Sequence, residues 1–164
     1  MTDPPGKWDY LKYNRYDVLR LNWLYWVIIL FLSRHVLVLM FIGFAKGRRG
    51  TGPSDPAVAA LLDPWFFTSD VPALFLLAVT GARLPSGGNG VRAIWRNGRS
   101  FLTASCLLYL GLLFGQQGAQ ILQSHPVTWA MIAANVLAIG VIWWSAYLKD
   151  MFDQFPEPDP DAKK

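Results

Sequence analysis

The stretch LNWLYWVIILFLSRHVLVLMFIGF, Leu21 to Phe44, decides the fold. It holds about twenty otherwise apolar residues, and at a rise of about 1.5 Å per residue a helix of that length crosses a hydrocarbon core about 30 Å thick. Arg34 and His35 stand in its middle. An arginine at that depth costs at least about 2.5 kcal/mol, so it needs a partner from elsewhere in the membrane.

With this first span set at Asn22 to Phe44, three further runs are long and apolar enough to cross: Trp65 to Leu84, Ser100 to Gln123 and Val127 to Leu148. The run from Trp65 carries Asp70 and Pro72. Proline is tolerated near the start of a transmembrane helix. Composition agrees, because 53% of residues are apolar and only 16% are charged, whereas a soluble domain carries about 25% charge. The expected fold class is therefore all-α, a polytopic membrane protein with four transmembrane helices. Its parts are an amino-terminal segment (1–21), a four-helix transmembrane domain (22–148) and a tail (149–164). Beyond about residue 156 the tail alternates Pro156, Pro158 and Pro160 with acids, cannot bury a core, and is expected to be disordered.

The net charge of +4 does not indicate a nucleic-acid binder, because the basic residues lie in short segments beside the apolar runs rather than on one surface. Eleven of the 15 fall on one side: Lys7, Lys12, Arg15 and Arg20, then Arg83, Arg92, Arg96 and Arg99, then Lys149, Lys163 and Lys164. Lys46, Arg48 and Arg49 fall on the other, so the positive-inside rule places both termini in the cytoplasm. No short apolar run ending in a small-residue cleavage site precedes Leu21, and the first span is expected to remain as an anchor. Trp23, Trp26, Trp143 and Trp144 mark the cytoplasmic lipid interface, with Trp65 and Trp129 at the opposite one. Val91, Ile94 and Trp95 recur at helical spacing among Arg92, Arg96 and Arg99. That pattern predicts a short helix lying on anionic lipid through Arg92, Trp95 and Arg96, or else a solvated basic loop. Asp55-Pro56 is a plausible cap for a short helical piece over 57–62.

Counting along each predicted span from its outer end, Arg34 is about 15 Å deep, Asp70 about 8 Å, Gln116 about 10 Å and Asn135 about 12 Å. These groups form an expected intramembrane polar cluster of Arg34, His35, Asp70, Gln116, Gln120 and Asn135 in the outer half. Arg34 is paired in this reading with Asp70, since an arginine reaches several ångströms toward a shallower carboxylate. Gln116, Gln120 and Gln123 form a polar stripe on the third span, beside a small-residue stripe of Gly111, Gly115 and Ala119 that would let two helices approach closely. The cluster is either a structural clasp or a ligand site.

Templates for chemistry find no match. His35 lies within a span and His125 in a loop, so no paired haem ligation follows, and two histidines with the single cysteine, Cys106, do not make a zinc site. Cys106 is expected to be a packing residue. No GxSxG, phosphate-cradling glycine loop or carboxylate pair within a span occurs. No catalytic residue, metal or cofactor is expected.

The segments Tyr10-Leu-Lys-Tyr-Asn-Arg-Tyr-Asp17, Phe31-Leu-Ser-Arg-His35 and Tyr147-Leu-Lys-Asp-Met-Phe-Asp-Gln-Phe-Pro156 together resemble an uncharacterised family of small bacterial inner-membrane proteins, a domain of unknown function. The resemblance covers the first forty-five residues or so and the last span with its tail. It implies a bacterial inner membrane and a four-helix plan, and it brings no catalytic roles. The functional expectation is a non-enzymatic membrane protein, an accessory or assembly subunit or a self-associating bundle. Its partners would be lipid and another membrane protein or a second copy. The alternative is a small-solute transporter or channel component with its polar site in the outer half of the membrane.

Overall fold

A computed structural model describes residues 8–49, 64–118 and 126–157. Among the described residues the regular structure is helical: seven α-helices, one 3-10 turn at Tyr10–Lys12, and a single isolated bridge joining Tyr13 to Leu19. The α-helices are α1 (Trp23–Leu32), α2 (Arg34–Arg49), α3 (Pro64–Gly81), α4 (Asn89–Arg96), α5 (Gly98–Gln117), α6 (Pro126–Trp144) and α7 (Ala146–Asp153).

Local chemistry sets these boundaries. Asn22 caps α1 by accepting from the Leu24 amide, and the Ser145 side chain accepts from Leu148 at the start of α7, as short polar side chains do at helix starts. Pro64 and Pro126 open α3 and α6, the position where a missing N–H costs nothing. The expected last span to Leu148 is thus interrupted at Ser145, and α7 turns away as a separate amphipathic helix.

Helices α3, α5 and α6 are each long and apolar enough to cross a membrane, and α1 with α2 makes a fourth crossing if the pair is taken as one span. The pair is not the continuous helix expected from Asn22 to Phe44. It bends by 69° at Ser33. Helix α5 lies at the centre and packs on α3 and α6. Around it, large apolar side chains such as Val27, Phe41, Phe75, Leu107 and Leu137 point outward, the distribution of a bundle whose solvent is lipid.

At one end of the bundle the amino-terminal segment, the loop after α3 and the tail close into a cap. Leu19, Trp95, Leu148, Met151 and Phe152 are wholly buried in it. The Trp8 indole N–H donates to Asp150 (2.9 Å), the Leu19 amide to the Gln154 side chain (2.8 Å), and the Tyr147 hydroxyl to the Arg20 carbonyl (2.8 Å). Arg83 ties the three parts together, donating to the carbonyls of Leu19 (2.9 Å) and Gln154 (3.2 Å) with its guanidinium 4.5 Å from the Trp95 ring centre. Burial pushes this guanidinium down to about 10, opposed by Tyr25 and Tyr147.

The helix predicted around Val91 to Trp95 is present as α4, but Trp95 does not lie in lipid. It is fully buried, with its N–H shared between the carbonyls of Met151 (3.1 Å) and Gln154 (2.9 Å) and its ring against Phe152. The apolar face is spent on the tail, since Val91, Ile94 and Trp95 pack in one core with α7 and Phe155. Arg92 likewise stays within the chain, donating to the carbonyls of Gly87, Pro85 and Pro156 over the Phe155 ring. Arg96 is exposed, as are Trp23, Trp143 and Trp144. Gly98 has a packing role that the composition did not reveal: a Cβ there would overlap the Phe152 ring.

Candidate functional site

Two imperfect helices face each other at one level of the bundle. In α3, Pro72 has no N–H to give and its ring crowds the preceding turn. The amide of Ala73, the residue after the proline, donates to the Ser105 hydroxyl of α5 (3.0 Å), as neighbouring side chains do where proline interrupts a helix. Asp70 sits in this opened turn and is completely buried. Opposite it, α1 ends at Ser33 and α2 begins at Arg34, which leaves the first amides of α2 without helical acceptors.

Asp70 supplies those acceptors. One oxygen, Oδ2, accepts from the backbone N–H of His35 (3.0 Å) and of Val36 (3.1 Å). The other, Oδ1, pairs with His35 Nδ1 at 2.7 Å and lies 3.4 Å from the Ser69 hydroxyl. The carboxylate is therefore an N-cap contributed by another helix, placed where the partial positive charge of the α2 terminus favours an anion. Facing a carboxylate oxygen, Nδ1 is the ring nitrogen that donates to Asp70. Phe66 and Tyr109 stack on the imidazole, with ring centres 5.7 and 5.8 Å away, and Phe67 meets it edge-on.

The expected Arg34–Asp70 ion pair is not formed. The 69° bend turns the start of α2, and with it His35, toward α3. Arg34 goes another way, with its guanidinium 4.1 Å from the Tyr109 ring centre, 4.7 Å from that of Phe31, and Nη1 on the Phe31 carbonyl (3.0 Å). Asn135 is buried on α6, where Nδ2 donates to the Met131 carbonyl of its own helix (2.8 Å) and Oδ1 has no partner among the described residues. Gln116 is exposed. Gln120, Gln123, His125, Ala119 and the piece over 57–62 lie outside the described residues.

Gly111 and Gly115 are not packed against other described residues, since a Cβ built at either meets no described atom within 4 Å. The sequence shows Ser105 as a hydroxyl able to bond its own helix backbone, not as an acceptor for α3, and it does not single out Tyr109 or Phe66. Ser105 had one signal, a hydroxyl in a span beside a helix that contains proline. The two aromatics had none, because an aromatic in an apolar run looks the same whether it faces lipid or a histidine. Cys106 is buried, as expected of a packing residue. No family model, curated protein or solved structure matches the chain.

Proposed function

We propose that the chain is a four-span protein of the bacterial inner membrane with both termini in the cytoplasm. In this reading it acts without enzymatic activity, as an accessory or assembly subunit or as a self-associating bundle. One observation carries the proposal: the acid and the histidine held among the helices are spent on joining helices. Asp70 takes its hydrogen bonds from α2, from the His35 ring and from the neighbouring Ser69, and so closes the break between α1 and α2. A carboxylate so fully occupied works as a clasp. The outward edge of α5 supplies the association surface, with Gly111 and Gly115 open and Leu107, Leu108 and Phe114 exposed beside them, an arrangement that admits a second helix at close range.

The test is a cysteine at Gly115 in a Cys106→Ser background, oxidised in native membranes. The proposal expects a disulfide-linked dimer where the neighbour is a second copy, or a stoichiometric copurifying protein where it is a partner, and loss of that assembly in Gly115→Leu. A chain that remains monomeric in its own membrane, and is indifferent to Gly115→Leu, contradicts it. Orientation is tested separately. An impermeant thiol reagent applied to intact cells should label a cysteine at Ser54 and not one at Ser86, and the reverse pattern inverts the topology. The second reading, a solute transporter or channel component, has one observation in its favour: Ser33, Arg34 and Asn135 hold buried polar atoms without partners among the described residues.

A further inference from the structure

Arg34 is a guanidinium whose plane is fixed and whose best binding edge is unused. Its face rests on Tyr109 and Phe31, at 4.1 and 4.7 Å from the ring centres, and Nη1 is held by the Phe31 carbonyl at 3.0 Å. Those contacts leave Nε–H and Nη2–H, which lie parallel along one side of the group. Both nitrogens are buried and neither has a hydrogen-bond partner among the described residues. The preceding residue, Ser33, is 2% exposed, and its hydroxyl is likewise buried and unpartnered. Two parallel N–H donors suit two oxygens of one anion, the geometry by which arginine takes a carboxylate or phosphate bidentately, and the Ser33 hydroxyl is a third unmet donor on the adjacent residue.

The helices α1, α2, α3, α5 and α6 contain one acid, Asp70. It is already occupied by His35 and Val36. A desolvated cation whose donors are unmet is costly in a low-dielectric interior, so an anion that reached this edge would be favoured. Arg34 as a whole is only half-buried, and Leu30 and Leu37, close to it in sequence on either side of the bend, are exposed. Arg34 therefore reaches the outer surface of the bundle beside apolar surface that an acyl chain can cover, with its Nε–Nη2 edge beneath that surface. We infer that the Nε–Nη2 edge of Arg34, assisted by the Ser33 hydroxyl, is a binding site for an oxyanion, a carboxylate or phosphate, carried there by an amphiphile. The site is independent of whether the bundle assembles with further copies.

The test uses the full chain in an uncharged maltoside micelle. Dodecanoate and dodecyl phosphate are the membrane-borne probes, acetate and inorganic phosphate the free ones, and dodecanol the uncharged control. The readouts are the Arg34 Nε–H resonance and the thermal midpoint. The inference expects a saturable downfield movement of Nε–H with dodecanoate or dodecyl phosphate and none with dodecanol. It also expects the apparent affinity, read from the midpoint, to fall at least tenfold in Arg34→Lys, which keeps the charge without the fork, and severalfold in Ser33→Ala. Equal responses to acetate or inorganic phosphate at matched concentration support the site and assign it to free oxyanions. A wild-type Nε–H that does not move with any of the four anions overturns the inference without recourse to a variant. So does an affinity in Arg34→Lys within twofold of the parent.

Discussion

Replacing Asp70 by leucine removes the acceptor for three donors at once: the backbone N–H groups of His35 and Val36 and the His35 ring nitrogen. His35 is 2% exposed and Asp70 0%, so water does not readily replace the carboxylate. Leaving a buried donor unsatisfied costs about 1–3 kcal/mol. Part of the sum is recovered by the apolar area that leucine buries and by removing a desolvated charge, and the net expected loss is about 3–5 kcal/mol. Arg34→Leu should cost less. It gives up one hydrogen bond and two ring contacts, together about 1–3 kcal/mol, and it also removes donors that have no partner. Double-mutant cycles in bicelles, with unfolding driven by steric trapping, separate the possibilities. His35→Leu and Asp70→Leu should be non-additive by at least about 1 kcal/mol, while Arg34→Leu and Asp70→Leu should add to within about 0.5 kcal/mol. Strong coupling of Asp70 to Arg34 with none to His35 would refute this account of which residue the carboxylate holds.

Gly98→Val should disrupt the cap, because its Cβ falls on the Phe152 ring; backbone amides over 145–157 should then exchange faster, and unchanged exchange would show that the approach of α5 to α7 is not tight. Arg83→Lys should lower stability by about 1–3 kcal/mol, since one ammonium cannot reproduce the two carbonyl contacts to Leu19 and Gln154. Burial lowers Arg83 from 12.5 to about 10, so folded and unfolded parent chains both carry this charge well below pH 10, and the burial penalty it contributes is relieved only as pH rises through about 10. Trp95→Phe should cost about 1 kcal/mol through the lost N–H to Met151 and Gln154, and adding anionic lipid should not alter that cost, in contrast to a residue seated in headgroups.

Long apolar runs were legible because lipid demands length and apolarity together, and α3, α5 and α6 lie within a few residues of the runs that predicted them. Arg34, His35 and Asp70 were legible as groups that must find partners. Their pairing was not. Apolarity on every side of Leu21 to Leu32 and of Val36 to Ile42 gives no sign of a bend between them, and a 69° turn at Ser33 decides whether the arginine or the histidine reaches Asp70. Pro72 was visible, yet the repair of its turn by Ser105 depends on how α3 and α5 are rotated about their axes. The Val91, Ile94 and Trp95 pattern specified an amphipathic helix but not what covers its apolar face, since lipid and the α7 side chains ask for the same residues.

The clasp between His35 and Asp70 is tested most directly by solid-state NMR on the full chain in lipid, with ¹⁵N-labelled histidine and ¹³C-labelled aspartate. A protonated His35 Nδ1 with strong dipolar coupling to Asp70 Cγ, together with coupling from the Val36 amide nitrogen to the same carbon when that residue is labelled, is the predicted result. Coupling of Asp70 Cγ to the Arg34 guanidinium, with the His35 nitrogens remote from any carboxylate, would contradict the account.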